Sequence, residues 1–149
     1  MRTTLKDLII HSRSLEDILE KLLTLYAQLK KSHPRMGYVA GIITSDGPEK
    51  EEENREKLHK HTLALEKKLK YPIFSSIDIF SGEVYMKIPY YELKYEEREE
   101  TVRAFWDGLL GAGYVTDIFM TPGWERSTGA KRELEISQQN GIKIHYLKT

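Results

Sequence analysis

Asp117-Ile-Phe-Met-Thr-Pro-Gly-Trp-Glu-Arg-Ser-Thr-Gly-Ala-Lys-Arg-Glu133, followed by Leu134 to Leu147, decides the fold of this 149-residue chain. The apolar run opened by Asp117 predicts a buried strand that ends in a Thr-Pro-Gly turn. The residues from Ser127, Thr128 and Gly129 onward predict a helix, and Ile142 to Leu147 predicts a second apolar strand. Strand, helix and strand in this order belong to a mostly parallel α/β sheet. Such sheets bind ligands outside the carboxyl ends of their strands, where the loop from Thr121 to Arg126 is expected. Unpaired backbone N–H groups and the dipole of the following helix favour an anion beside that loop.

Working outward, Ser14 precedes a helical apolar stripe of Leu15, Ile18, Leu19, Leu22, Leu23, Tyr26 and Leu29, which ends before His33-Pro34. The stripe suits packing on the main body better than pairing with a second copy. Tyr38 to Ile43 reads as a central strand covered on both faces. The loop Thr44-Ser-Asp-Gly-Pro48 leads into a charged helix from Glu49 to Lys70, with Leu58, Thr62, Leu65 and Leu69 inward. Pro72 to Phe80 predicts another strand. Gly82 to Tyr91 reads as a short hairpin arm or loop, and Tyr85, Tyr90, Tyr91 and Tyr95 as a lid or a subunit contact. A helix from Glu92 to Leu110 turns Val102, Phe105, Trp106 and Leu109 inward. Residues 1–33 form an N-terminal helical extension and residues 37–149 the α/β domain.

Composition removes several function classes. Lys plus Arg (23) balance Asp plus Glu (23), so no global field attracts nucleic acid or an anionic membrane. Without cysteine, disulfides and thiolate catalysis are excluded. Met1 to Ile10 is too short and too charged for a signal peptide, and no run reaches membrane-spanning length, so a soluble cytoplasmic protein is expected. His59 and His61 do not share a helix face, which argues against a metal site, and no cofactor is expected.

Glu133 lies nearly two turns into its helix, on a face shared in part with Ser127. A carboxylate held beside a bound sugar can attack an anomeric carbon, forming a glycosyl ester that water or a second base then displaces. The departing group needs an acid, for which Asp107, Asp117 and Asp46 are the candidates. Trp124 suits stacking on a nucleobase as well as closing its loop over the core. Arg126 is placed to pair with phosphate, whereas Lys131 and Arg132 read as exposed helix charges. His145 reads as a packed residue of the last strand.

Tyr38-Val-Ala-Gly41, Asp117-Ile-Phe-Met-Thr-Pro-Gly-Trp124 and Ser127-Thr-Gly-Ala-Lys-Arg-Glu133 before Gly141-Ile-Lys-Ile-His-Tyr together resemble the nucleoside 2-deoxyribosyltransferase superfamily. That superfamily also contains nucleoside 5'-monophosphate N-glycosidases and small uncharacterised relatives. The resemblance spans roughly Gly37 to Leu147 and implies a flavodoxin-like three-layer α/β sandwich in homodimers or larger assemblies. Its implied substrate is a small nucleoside or nucleotide. By position, Glu133 falls at the family's nucleophile and Tyr38 at the tyrosine that positions it. Ser127 and Gly129 fall at the pattern that receives the 5'-phosphate, and Asp107 near the aspartate that assists the leaving base. Gly41, Asp46, Gly123, Trp124 and Arg126 complete the expected substrate-binding set, and Asn54 falls at an asparagine of the uncharacterised relatives.

The chain departs from the family in two ways. It stops at Thr149, without the tail that donates a polar residue to a neighbour in many transferases, and Leu134-Glu135 stands where some members carry glycines. Hydrolysis is therefore expected over base transfer. Two other readings stay open at this level: a non-catalytic nucleotide- or phosphate-binding module, and an oligomeric interaction protein built on the N-terminal helix.

Overall fold

The computed structural model describes residue 7 and residues 11–80 and 94–148. Ser14 caps helix α1 (Leu15–Ser32), its hydroxyl accepting the Asp17 N–H at 3.1 Å, and Glu16, Asp17, Lys30 and Lys31 complement the helix dipole. Strand β1 (Gly37–Ala40), helix α2 (Pro48–Leu69), strand β2 (Ile73–Ser75) and the single turn α3 (Ser76–Ile79) follow. Helix α4 (Tyr95–Leu110), strand β3 (Asp117–Met120), a 3-10 turn (Trp124–Arg126), helix α5 (Thr128–Gln139) and strand β4 (Lys143–Tyr146) complete the order. The segment Gly82 to Tyr91 and the Tyr95 side chain lie outside the described residues.

The four strands among the described residues all run parallel, in the order β2-β1-β3-β4, and the chain folds as a flavodoxin-like three-layer sandwich. Alternation along the strands divides the interior in two. Tyr38, Ala40, Phe74, Ile118 and Met120 join the larger core, with buried residues of α1, α4 and α5. Val39, Ile73 and Phe119 join a smaller core with Leu58 of α2 and with Tyr71. Leu15, Ile18, Leu22, Leu25 and Tyr26 bury the apolar stripe of α1 in the larger core, so this helix shares the interior of the sandwich. Among the described residues no helix is long and apolar enough to cross a membrane.

The second strand differs from the pattern read in the sequence. The strand expected over Pro72 to Phe80 stops at Ser75, because the Asp78 carboxylate accepts the Ser75 N–H at 2.9 Å and starts a helical turn there. The last strand, read as apolar, lies at the edge of the sheet: Lys143 and Tyr146 are exposed, and the Trp124 ring packs 5.8 Å from the Tyr146 ring.

At the amino-terminal end of the sheet, Asp117 is buried under a charged cluster. Its carboxylate accepts from Arg35 at 2.7 Å, from the Thr116 hydroxyl at 2.6 Å and bonds His145 Nε2 at 2.8 Å. His145 also stacks on Phe119 at 4.6 Å, which makes it a packed residue. Burial alone would raise the Asp117 carboxyl, but these hydrogen bonds outweigh it and hold the group at about 2. A carboxyl depressed below its unfolded value stabilises the fold above pH ~4, and the contribution disappears as pH falls through the folded value. Asp117→Asn should therefore lower unfolding free energy at pH 7 by roughly 2 kcal/mol. Urea titrations at pH 7 and pH 2.5 should show the deficit shrinking at the lower pH.

Candidate functional site

The carboxyl ends of the strands open into a cavity of about 960 Å³. Gly41, Ile43, Thr44 and Ser45, from the loop after β1, form one wall, and Ser127, Thr128, Gly129, Arg132 and Glu133 of α5 another. Phe80, Val102, Phe105 and Trp106 supply an apolar aromatic side, joined by Leu15 of α1 and by Ser76 and Ile77 of α3. Gly41 is required by close approach: a Cβ there would lie 2.2 Å from Thr121 Oγ1. Thr121 crosses to β1 at that point, its N–H and hydroxyl both donating to the Ala40 carbonyl at 3.0 and 3.1 Å.

Tyr38, in the middle of β1, lies behind the cavity wall and touches it through Glu133. Its ring is fully buried between Phe74, at 5.1 Å, and Trp106, at 5.2 Å, and its hydroxyl donates to Glu133 Oε1. Burial pushes the tyrosine ionisation well above its ordinary value, so this hydroxyl remains a donor. Glu133 is 6% exposed. Burial pushes its carboxyl up to about 7, against the opposing effects of the Tyr38 hydrogen bond and the Arg132 charge. The result is a carboxyl divided between its two forms near neutral pH, a common property of groups that do chemistry.

The second oxygen of Glu133 lies beside the start of α5. A Cβ on Gly129 would sit 3.8 Å from Glu133 Oε2 and 3.9 Å from Ser127 Oγ, so the glycine keeps the space between them open. Ser127 caps α5 by accepting the Ala130 N–H at 3.1 Å. The N–H groups of Thr128 and Gly129, in the first turn, have no intrahelical acceptor and suit an anion. Two ion pairs border the same space: Arg132 with Glu99, and Arg55 with Glu51 at 3.1 Å.

Of the candidate residues, Gly41, Ser127, Gly129 and Glu133 line the cavity, and Tyr38 supports Glu133 from behind. The others lie elsewhere. Asp107 is exposed, because α4 buries Phe105, Trp106 and Leu109 and leaves Asp107 on its outer face, so it does not line the cavity. Asp117 sits at the opposite end of β3. Asp46 and Arg126 hold each other at 3.2 Å and border a smaller cleft of about 370 Å³. Gly123 takes a φ of 91° to turn the chain beside Arg126, and Trp124 is spent on Tyr146.

The cavity also contains residues that the sequence did not single out for it. Arg132 reads as an exposed helix charge but is only 11% exposed, held by Glu99 of α4. Arg55 pairs one turn along α2 with Glu51, a spacing visible in sequence, yet nothing local reveals that the pair faces a cavity. Trp106 is legible as a core residue, and Ser76 would have been found from Ser75 and Asp78 as a helix-start signal. Among the described residues no group of three or more histidine or carboxylate side chains gathers to hold a metal. Compared with protein-family models, curated proteins and solved structures, the chain matches none significantly.

Proposed function

We propose that the protein hydrolyses the N-glycosidic bond of a nucleoside or nucleoside 5'-monophosphate through Glu133. The observation that carries this reading is Glu133 on the cavity wall, held from behind by the buried Tyr38 hydroxyl, with its second carboxylate oxygen turned to the amino-terminal end of α5. Tyr38 holds Oε1, which leaves Oε2 to attack the anomeric carbon of a sugar bound between Gly129 and the aromatic side. The C–N bond breaks as the ester forms, and the base leaves with the bonding electrons and takes up a proton from solvent. Water then cleaves the ester, releasing the sugar and restoring the carboxylate. A second base in place of water gives transfer by the same route. The resemblance to the deoxyribosyltransferase superfamily supports the same assignment for Tyr38 and Glu133.

Free-base release followed by chromatography, over a panel of ribo- and deoxyribonucleosides and their 5'-monophosphates, tests the proposal. Wild type should release base from at least one compound and Glu133→Ala from none. Binding without release by wild type would instead favour a non-catalytic nucleotide-binding module.

A 5'-phosphate fits the N–H groups of Thr128 and Gly129 beside the Ser127 hydroxyl. Ser127→Ala should raise KM for the monophosphate about tenfold, the size of one lost hydrogen bond to a charged group. The corresponding nucleoside should be affected less. Equal losses on both would remove the phosphate assignment.

A further inference from the structure

We infer that Asp46, Arg126 and Asn54 are positioning residues that hold the wall of the substrate cavity formed by Thr44 and Ser45. The inference deepens the glycosidase reading and rests on it for what the cavity binds. Arg126 Nε and Nη2 donate to the two Asp46 carboxylate oxygens at 3.2 and 3.4 Å. Asn54, 6% exposed on α2, donates from the same nitrogen to Asp46 Oδ2 at 3.3 Å and to the Ile43 carbonyl at 3.2 Å. The loop after β1 is thereby tied at its carbonyl Ile43 and its side chain Asp46 to a helix on one side and to the turn after β3 on the other.

The geometry gives this network a direction. Asp46 and Arg126 border the smaller cleft, while Thr44 and Ser45, immediately before Asp46 in the chain, line the cavity that contains Glu133. The far anchor is equally close to chemistry, since Arg126 directly precedes Ser127, the cap of α5. The pair therefore fixes the distance between the two walls that face each other across the cavity, without touching its contents. Planar guanidinium and carboxylate groups held at two points restrict both distance and orientation, which a lysine in place of Arg126 reproduces only in part.

The test joins kinetics to hydrogen exchange on the full chain. Arg126→Ala should raise KM for the best nucleoside monophosphate about two- to fivefold, the size of a partly exposed ion pair, and leave kcat near wild type. Arg126→Lys should restore part of the loss. Asp46→Asn should add nothing further in the Arg126→Ala background, because both remove the same contact. The Gly47 amide, which donates to the Thr44 carbonyl at 3.1 Å, should exchange faster in each single variant than in wild type at matched global stability. Additive KM effects, or unchanged Gly47 exchange, would overturn the inference. Absence of turnover by wild type would remove the glycosidase reading alone, because Gly47 exchange in Arg126→Ala still decides whether the pair holds the loop.

Discussion

Glu133→Gln is expected to make the protein more stable at pH 8 and to leave its stability near wild type at pH 4. The folded carboxyl ionises at about 7, above its ordinary 4.5, because burial disfavours the charge. A carboxyl raised in this way costs nothing below its unfolded value, where it is protonated in both states. As pH rises towards and through the folded value, the unfolded chain releases its proton more readily than the folded one, and stability falls. The difference amounts to on the order of 3 kcal/mol once both states are ionised. Glutamine has the same shape, keeps an acceptor for the Tyr38 hydroxyl and has no charge to bury. Denaturant unfolding of both proteins from pH 4 to pH 8 should show the two curves separating through neutrality. Parallel curves would mean that Glu133 is not held in an apolar setting, and the basis for its chemistry would go with it.

The same substitution should lower base release by about a thousandfold or more, since a side-chain amide cannot form the glycosyl ester and removal of a nucleophile commonly has effects of that size. A gain in stability together with a loss of activity marks a group whose burial serves chemistry at the expense of the fold. This combination separates Glu133 from a residue that merely packs: a structural carboxylate such as Asp117 should show the opposite sign, with Asp117→Asn destabilising at neutral pH. The rise in wild-type kcat/KM with pH should follow the ionised fraction of Glu133 in the free protein and level off above about 7.

Much of the fold is legible because periodicity and punctuation agree. Ser14, the stripe from Leu15 to Tyr26 and the halt before Pro34 mark α1 to within a residue of its observed span. Pro48 marks the start of α2, and the Asp117 and Ser127 signals bracket β3 and the cap of α5. The failure at the second strand has an equally local cause. Pro72 to Phe80 carries strand-like residues, but Asp78 three positions after Ser75 favours a helix start, and that hydrogen bond prevails over β propensity. The last strand is legible as a strand from Ile142 to Leu147, whereas its place at the sheet edge is set by topology rather than composition.

The site was legible where one element carries both partners and obscure where two elements meet. Ser127, Gly129 and Glu133 occupy one helix, so their proximity follows from its pitch. Tyr38 joins Glu133 from strand β1, and only resemblance to a family paired them in the sequence. Asp46 and Arg126 look like ligands for substrate because loops at the carboxyl ends of strands carry such residues. In the fold each finds the other, and the charges are taken up within the protein. Asp107 illustrates the converse: one position beyond Trp106, it is rotated by about 100° around the helix and leaves the cavity to its neighbours.

Base release at pH 8 by wild type and Glu133→Gln, side by side on the compound that wild type turns over fastest, decides whether Glu133 is the nucleophile. Wild type should release base, and the variant, folded and more stable, should lose essentially all of that release. Equal rates from the two proteins, or silence from wild type across the whole panel of nucleosides and monophosphates, would contradict that assignment.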